Sequence, residues 1–253
     1  IVAYGSLGAA EMRYRSDLDL VFLYPGSQQA SDGPRPLAPE TWYTRLVRRL
    51  LALSTTVSPS GRLYEIDTRL RPNGRSGLLV SPFSAFERYQ REKAWVWEWQ
   101  ALTRARAIAG GKDLAERFAA IRDGVLALPR DPETLKVEIP AMRARMREQA
   151  SGSIYKHGPG GLLDIDFIAQ LGVLELADRH PALRAATDTR TQLGELGATG
   201  WLSVPEAELL IEAHVALTRA RHLEALSRVE PAPGLELGAV RSLCARFGIL
   251  PSA

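Results

Sequence analysis

Cysteine is nearly absent. A single residue, Cys244, stands in a chain of 253, which excludes an internal disulfide and any cysteine-based metal cluster and points to a reducing compartment, the cytoplasm. Histidine is almost as scarce, and His180, His214 and His222 have no metal-ligand spacing, so they read as surface or core residues. Long apolar runs are missing too. None approaches the roughly 18 residues that a membrane helix requires, and the opening stretch from Ile1 to Gly5, followed at once by a polar turn, is too short for a signal peptide. No run of Lys and Arg is dense enough to track a nucleic-acid backbone. Neither a membrane nor a nucleic-acid partner is therefore expected. The sequence has no internal repeat, no low-complexity tract and no initiating Met, and its apolar pattern is already under way at Ile1, so it reads as a piece of a longer chain.

What is there is an ordinary globular mixture, 45% hydrophobic and 24% charged, enough for one large domain or two modest ones. The net charge of +3 is unevenly spread: residues 1 to 150 hold 23 Lys and Arg against 17 Asp and Glu, and residues 151 to 253 hold 9 against 12. The basic excess in the first part suits a polyanionic ligand such as a nucleotide.

The organisation also changes along the chain. Ser16 to Tyr24 alternates Asp and Leu and continues as an apolar run, which predicts a central strand with one polar end. Pro25 to Pro39 is rich in turn residues. Glu40 to Leu53 carries Trp42, Leu46 and Leu50 at helical spacing. Arg62 to Arg71 alternates again, and Pro72 stops it. From Phe83 onward helices are expected at Phe83 to Lys93, Trp95 to Ala109, Lys112 to Ala127, Pro132 to Gln149 with a break or bend at Pro140, Leu162 to Asp178, Val204 to Ser227 and Leu237 to Phe247. The expected division is a mixed α/β domain over residues 1 to 125 and an all-helical bundle over residues 126 to 253.

Asp17 and Asp19 are two apart at a strand start, so both carboxylates project to one side, where two like charges call for a cation. Asp67 joins them if its strand pairs beside the first. Three carboxylates with no His or Cys nearby suit Mg²⁺ or Mn²⁺, and two such ions could activate an attacking hydroxyl and neutralise a triphosphate. An isolated Asp-x-Asp is also what a turn residue followed by an exposed strand residue looks like. Upstream, Gly5, Ser6 and Gly8 follow a short apolar strand, where the backbone can turn sharply and offer free N–H groups to phosphate. By the period of two, Arg69 and Arg71 share the strand face of Asp67, and their guanidinium groups could grip phosphate oxygens or pair with surface acids. On a helix Trp95 and Trp99 share a face and read as core, while Trp97 points away. The Gly-rich loop from Lys156 to Gly161 fits an anion cradle and a plain helix entry equally well.

Gly-Ser, ten intervening residues, then Asp-Leu-Asp, with a third acid on a later strand, resembles the nucleotidyltransferase superfamily of the DNA polymerase β type. A closer resemblance spans about residues 1 to 170. "YGSLGAAEMRYRSDLDLVFLY", "LYEIDTRLRPNGRSGLLVSPFSAFERYQREKAWVWEWQALTRARAIAG" and "KHGPGGLLDIDFIAQ", in that order, look like the glutamate-ammonia-ligase (glutamine synthetase) adenylyltransferase family. Its enzymes carry two related nucleotidyltransferase domains, one removing AMP from glutamine synthetase and one attaching it, and "AWVWEWQAL" resembles the attaching half. The resemblance implies an α+β fold, a small mixed sheet with helices followed by a helical bundle. It makes Asp17, Asp19 and Asp67 the catalytic metal ligands for two Mg²⁺ ions, and Gly5, Ser6, Arg69 and Arg71 the binders of ATP. It has Glu98 and Gln100 help position the site. It makes glutamine synthetase the protein substrate and PII signal proteins the regulators acting through the full chain. Asp166 departs from the family's usual Glu. The implied activity is transfer of AMP from ATP to a tyrosine of glutamine synthetase. Its rivals are the phosphorolytic removing reaction and a non-catalytic nucleotide-binding module.

Overall fold

The structure, a computed structural model, describes residues 1–14, 16–26, 29–56, 59, 61, 64–149, 152–227 and 237–251. The chain divides into two compact units, Ile1–Val125 and Leu126–Ala253. Among the described residues, no helix is long and apolar enough to cross a membrane.

The first unit is built around the predicted central strand. β1 is Val2–Ala3, α1 is Gly5–Gly8, β2 is Leu18–Tyr24, α2 is Pro39–Ser54, β3 is Ile66–Asp67 and β4 is Val80–Pro82. α3 (Phe83–Glu92), α4 (Val96–Leu102), β5 (Arg106–Ala107) and α5 (Lys112–Leu126) follow. β2 is the longest strand among the described residues and carries β1 on one edge and both β3 and β4 on the other. β1 runs antiparallel on one edge with Val2 opposite Val21, while β3 and β4 run parallel at successive positions on the other. β5 extends the sheet beyond β1. The side chains of β2 alternate, so Leu20, Phe22 and Tyr24 face α2 and pack with Ala3, Val47 and Val80, and the Asp19 side chain projects to the opposite face.

Two expectations for this unit are corrected. The helix beginning at Trp95 ends at Leu102, where the Thr103 hydroxyl and amide turn back onto the Gln100 carbonyl. The chain then extends as β5, because the free edge of β1 offers backbone groups that helix could not satisfy. The alternating stretch ending at Pro72 is strand only at Ile66–Asp67; Arg62 and Leu63 lie outside the described residues. From Arg69 the chain turns into a loop with a 3-10 turn at Gly74–Ser76.

The second unit is mostly helical: α6 (Pro132–Glu148), α7 (Ile154–His157), α8 (Leu162–Leu176), α9 (Pro181–Ala185), α10 (Thr189–Ala198), α11 (Val204–Ser227) and α12 (Gly238–Arg246). α8 is buried almost all round, as expected of a central helix with no polar stripe. α6 runs on through Pro140 because Leu135, Ile139 and Arg143 form one buried face on either side of it. α9 and α10 were not expected. Their signal is local: Asp188 accepts the Thr191 amide and starts α10 as a capping residue.

Arg143 and Asp164, both fully buried, join α6 to α8 at 2.6 Å. The other Asp164 oxygen accepts the Gly160 amide at 2.7 Å, and Arg143 also donates to the His157 carbonyl. The Gly-rich loop is thus a helix entry whose Gly160 amide is already satisfied by the chain's own carboxylate. Asp164→Ala, which strands a buried guanidinium, should lower unfolding stability by about 3–5 kcal/mol, whereas Glu133→Ala at the exposed Lys136 pair should leave it essentially unchanged. Denaturant titration checks both, and equal effects would contradict the assignment.

Candidate active site

Gly5 opens α1 in a left-handed backbone conformation, φ +54°. A Cβ on it would overlap the Asp19 carboxylate oxygen Oδ2. The turn and the first β2 carboxylate therefore touch, which requires glycine both for the backbone angle and for the missing side chain. Gly8 is as tightly held, since a Cβ there would run into the carbonyls of Ala3 and Arg104. Arg106 donates to the Gly8 carbonyl at 2.9 Å and to that of Leu7 at 3.0 Å, and Arg104 forms a buried pair with Glu11 at 2.5 Å. These two arginines clamp the turn from the far side. Sequence reasoning passed over both because they fell inside an expected helix. The Ser6 hydroxyl rests against the Met12 sulfur at 3.6 Å.

Asp67 stands opposite Asp19 in the parallel β2–β3 register. Partners on neighbouring strands point to the same face, so the two carboxylates are neighbours. Asp17 lies exposed just ahead of β2. Arg69 binds Asp67 twice, through its backbone amide at 2.8 Å and its Nε at 2.6 Å. Its guanidinium is held above its ordinary pKa by the hydrogen bond and charge of Asp67, with Asp19 and Asp17 adding to the effect. One exposed cation thus sits in the field of all three carboxylates. Burial alone would raise the Asp67 carboxyl, but the Arg69 hydrogen bonds and the charges of Arg69 and Arg75 outweigh it and hold Asp67 below its usual range.

Arg71 behaves differently from Arg69. It donates to the carbonyls of Thr68, Arg75 and Gly77 and to the Thr68 hydroxyl, so it ties the loop together. The period-of-two argument that paired it with Arg69 fails because the strand ends at Asp67.

The tryptophan segment is also corrected. Trp95 is 65% exposed, and neither Trp97 nor Trp99 is fully buried; the buried members are Val96, Glu98, Gln100 and Leu102. Trp99 donates to the Gln90 carbonyl, which keeps its ring at the edge of the core. Glu98 accepts the Trp95 amide at 2.9 Å and the Tyr89 hydroxyl at 3.0 Å, and burial raises its pKa against those bonds. It is therefore a cap for α4 and an anchor for α3.

The donor set is all hard oxygen. Asp17, Asp19 and Asp67 set three carboxylates around the guanidinium of Arg69, with Arg75 also acting on Asp67, and such an all-oxygen set fits a hard divalent cation.

Residues 1–121 match the family model for glutamate-ammonia ligase adenylyltransferase, and residues 139–249 match that for GlnD PII-uridylyltransferase. The first unit is a glutamate-ammonia ligase adenylyltransferase family domain. Among its relatives, the bifunctional glutamine synthetase adenylyltransferase/adenylyl-removing enzyme of Xanthomonas axonopodis pv. citri is 44% identical over 93% of this chain and 26% of its own length. The enzymes of the same name from Methylococcus capsulatus and Pseudomonas syringae pv. tomato are 46% identical over 83% of this chain and 42% identical over 90%. The chain spans about a quarter of the length of these relatives, 23% and 25% for the last two.

In the metal-free family domain, Arg69→Ala should raise the Asp67 pKa, because it removes the side-chain hydrogen bond and charge of Arg69 and leaves only the residue-69 backbone amide and Arg75 to act against burial. A carboxyl depressed by folding contributes stability that is present above its ordinary pKa and lost as pH falls through its folded value. The wild type should therefore lose that increment at lower pH, and Arg69→Ala should show a smaller one. Side-chain carboxyl NMR titration reads the shift directly, and an unchanged Asp67 midpoint would contradict the pairing.

Proposed function

We propose that the first unit transfers AMP from ATP to a tyrosine hydroxyl of glutamine synthetase and releases pyrophosphate. The observation that carries this is the register that sets Asp67 opposite Asp19, with the Gly5 turn against the same carboxylate. The relatives' names include both attachment and removal of the adenylyl group. The segment from Ala94 to Leu102 favours attachment, since its Trp-x-Trp-Glu-x-Gln-Ala-Leu pattern resembles the attaching half of the family.

Asp17, Asp19 and Asp67 would hold two divalent ions such as Mg²⁺, which when bound would lower the pKa of the acceptor hydroxyl and neutralise the triphosphate. The backbone at Gly5 and Ser6 receives phosphate oxygens, and Gly8 with its two arginine clamps keeps that turn rigid. An unperturbed tyrosine, with a pKa near 10, is largely protonated at neutral pH, so its proton must be taken. Asp67 is a poor base while Arg69 holds it ionised and weakly basic. Arg69 is mostly exposed, so it can leave Asp67 for an incoming phosphate. That exchange brings a cation to the leaving group and makes Asp67 a stronger proton acceptor in one step. Arg71 serves by holding the loop that carries Arg69.

The test is incubation with unmodified glutamine synthetase, α-labelled ATP and Mg²⁺. The wild type should label the synthetase. Asp17→Asn and Asp19→Asn should each cut labelling at least a hundredfold, about 2.7 kcal/mol of transition-state stabilisation, with folding intact. Near-normal turnover in either variant would defeat the carboxylate assignment. Phosphate-dependent release of ADP from adenylylated synthetase, without labelling, would assign removal instead.

A further inference from the structure

α2 is a sixteen-residue helix that buries only Val47. At about 100° per residue, its apolar arc runs from Trp42, Leu53 and Leu46 through Leu50 and Tyr43 to Val47 and Leu51. The sheet takes up the arc around Tyr43, Val47 and Leu51. Its other edge hangs free: Trp42 is 41% exposed, Leu46 48% and Leu53 76%. Against Leu46 on that edge lies an apolar cleft of about 290 Å³, lined from the sheet side by Ile1, Phe22 and Tyr24 and from α5 by Leu114 and Phe118. Arg49 and Arg45 stand next around the helix from Trp42, with Arg48 beyond, all three exposed. None of the three is ion-paired among the described residues, and the only acid on α2 is Glu40.

An apolar cleft whose open wall is edged by uncompensated guanidinium groups matches an amphipathic segment with acids along one side of its apolar face. We infer that the α2 cleft docks such an acid-edged amphipathic segment of the protein substrate, which rests on the proposed transfer to a protein tyrosine. A single tyrosine hydroxyl offers little to distinguish one protein from another, so selectivity has to come from a surface away from the carboxylates. The cleft meets that requirement, lying on the sheet face opposite Asp19.

The experiment measures binding of the 253-residue chain to glutamine synthetase by biolayer interferometry, alongside ATP binding and thermal unfolding. Leu46→Asp and the double variant Arg45→Glu/Arg49→Glu alter exposed side chains, so both should melt like the wild type and bind ATP unchanged. Each should weaken synthetase binding at least tenfold, and the wild-type advantage over the arginine variant should shrink as salt rises. Unchanged synthetase affinity in both variants, or no synthetase binding by the wild type, overturns the docking surface. That includes the case in which the variants lose only self-association or only a small apolar ligand. If the variants bind the synthetase as the wild type does while labelling persists, docking fails and the transferase reading stands. If binding is lost as expected but the wild type never labels the synthetase, the reverse holds.

Discussion

Like charges placed opposite one another in a sheet repel, and the β2–β3 pairing sets Asp19 directly against Asp67. The fold keeps this arrangement by surrounding it with supports. Glu65 accepts the Leu18 amide at the start of the parallel ladder, and Tyr4 donates to the Asp19 carbonyl on the other edge. β2 is thereby fixed from both sides at the residue that carries the charge. Arg69, with Arg75 also acting on Asp67, offsets part of the repulsion, and carboxylates grouped in this way are what a cation-dependent phosphoryl-transfer site requires.

The surroundings of the carboxylates follow from the same constraint. Gly5 cannot carry a side chain because Asp19 occupies the space, and Gly8 cannot because the backbone around Ala3 and Arg104 does. Behind them lies a buried polar layer in which Glu98 ties α4 to Tyr89 while Arg122 donates to the Leu102 and Thr103 carbonyls. Burial pulls the Arg122 guanidinium down to about 10. Buried polar groups of this kind cost stability unless satisfied, and when satisfied they fix one arrangement of the elements that hold them. The carboxylates thus have a buried polar layer on one side and an exposed guanidinium, that of Arg69, paired with Asp67.

Much of this was legible in the sequence where the signal is local. The alternation in Ser16 to Tyr24 identified the central strand, and the helical spacing of Trp42, Leu46 and Leu50 identified α2. Gly-Ser followed at a fixed distance by Asp-Leu-Asp placed a turn and two carboxylates near one another. What was not legible depends on contacts distant in sequence. The end of α4 at Leu102 is decided by the unpaired edge of β1, about a hundred residues earlier in the chain. The divergence of Arg69 and Arg71 follows from the strand stopping at Asp67. The tryptophans misled because aromatic residues normally mark the core, whereas here Glu98 and Gln100 are the buried members of the segment. Of the residues carried over from the family resemblance, Asp67 pairs in register with Asp19, whereas the donors of Arg71 are committed to its own loop.

The central claim is that Asp17, Asp19 and Asp67 together hold the ions on which nucleotidyl transfer depends. Anomalous scattering from crystals grown with Mn²⁺ and a non-hydrolysable ATP analogue measures it most directly. Metal peaks bridging these carboxylates and the analogue's phosphates, with the phosphates against the Gly5 turn, are the expected result. Nucleotide bound elsewhere, or metal peaks that leave Asp19 and Asp67 without a bound ion, would contradict the account.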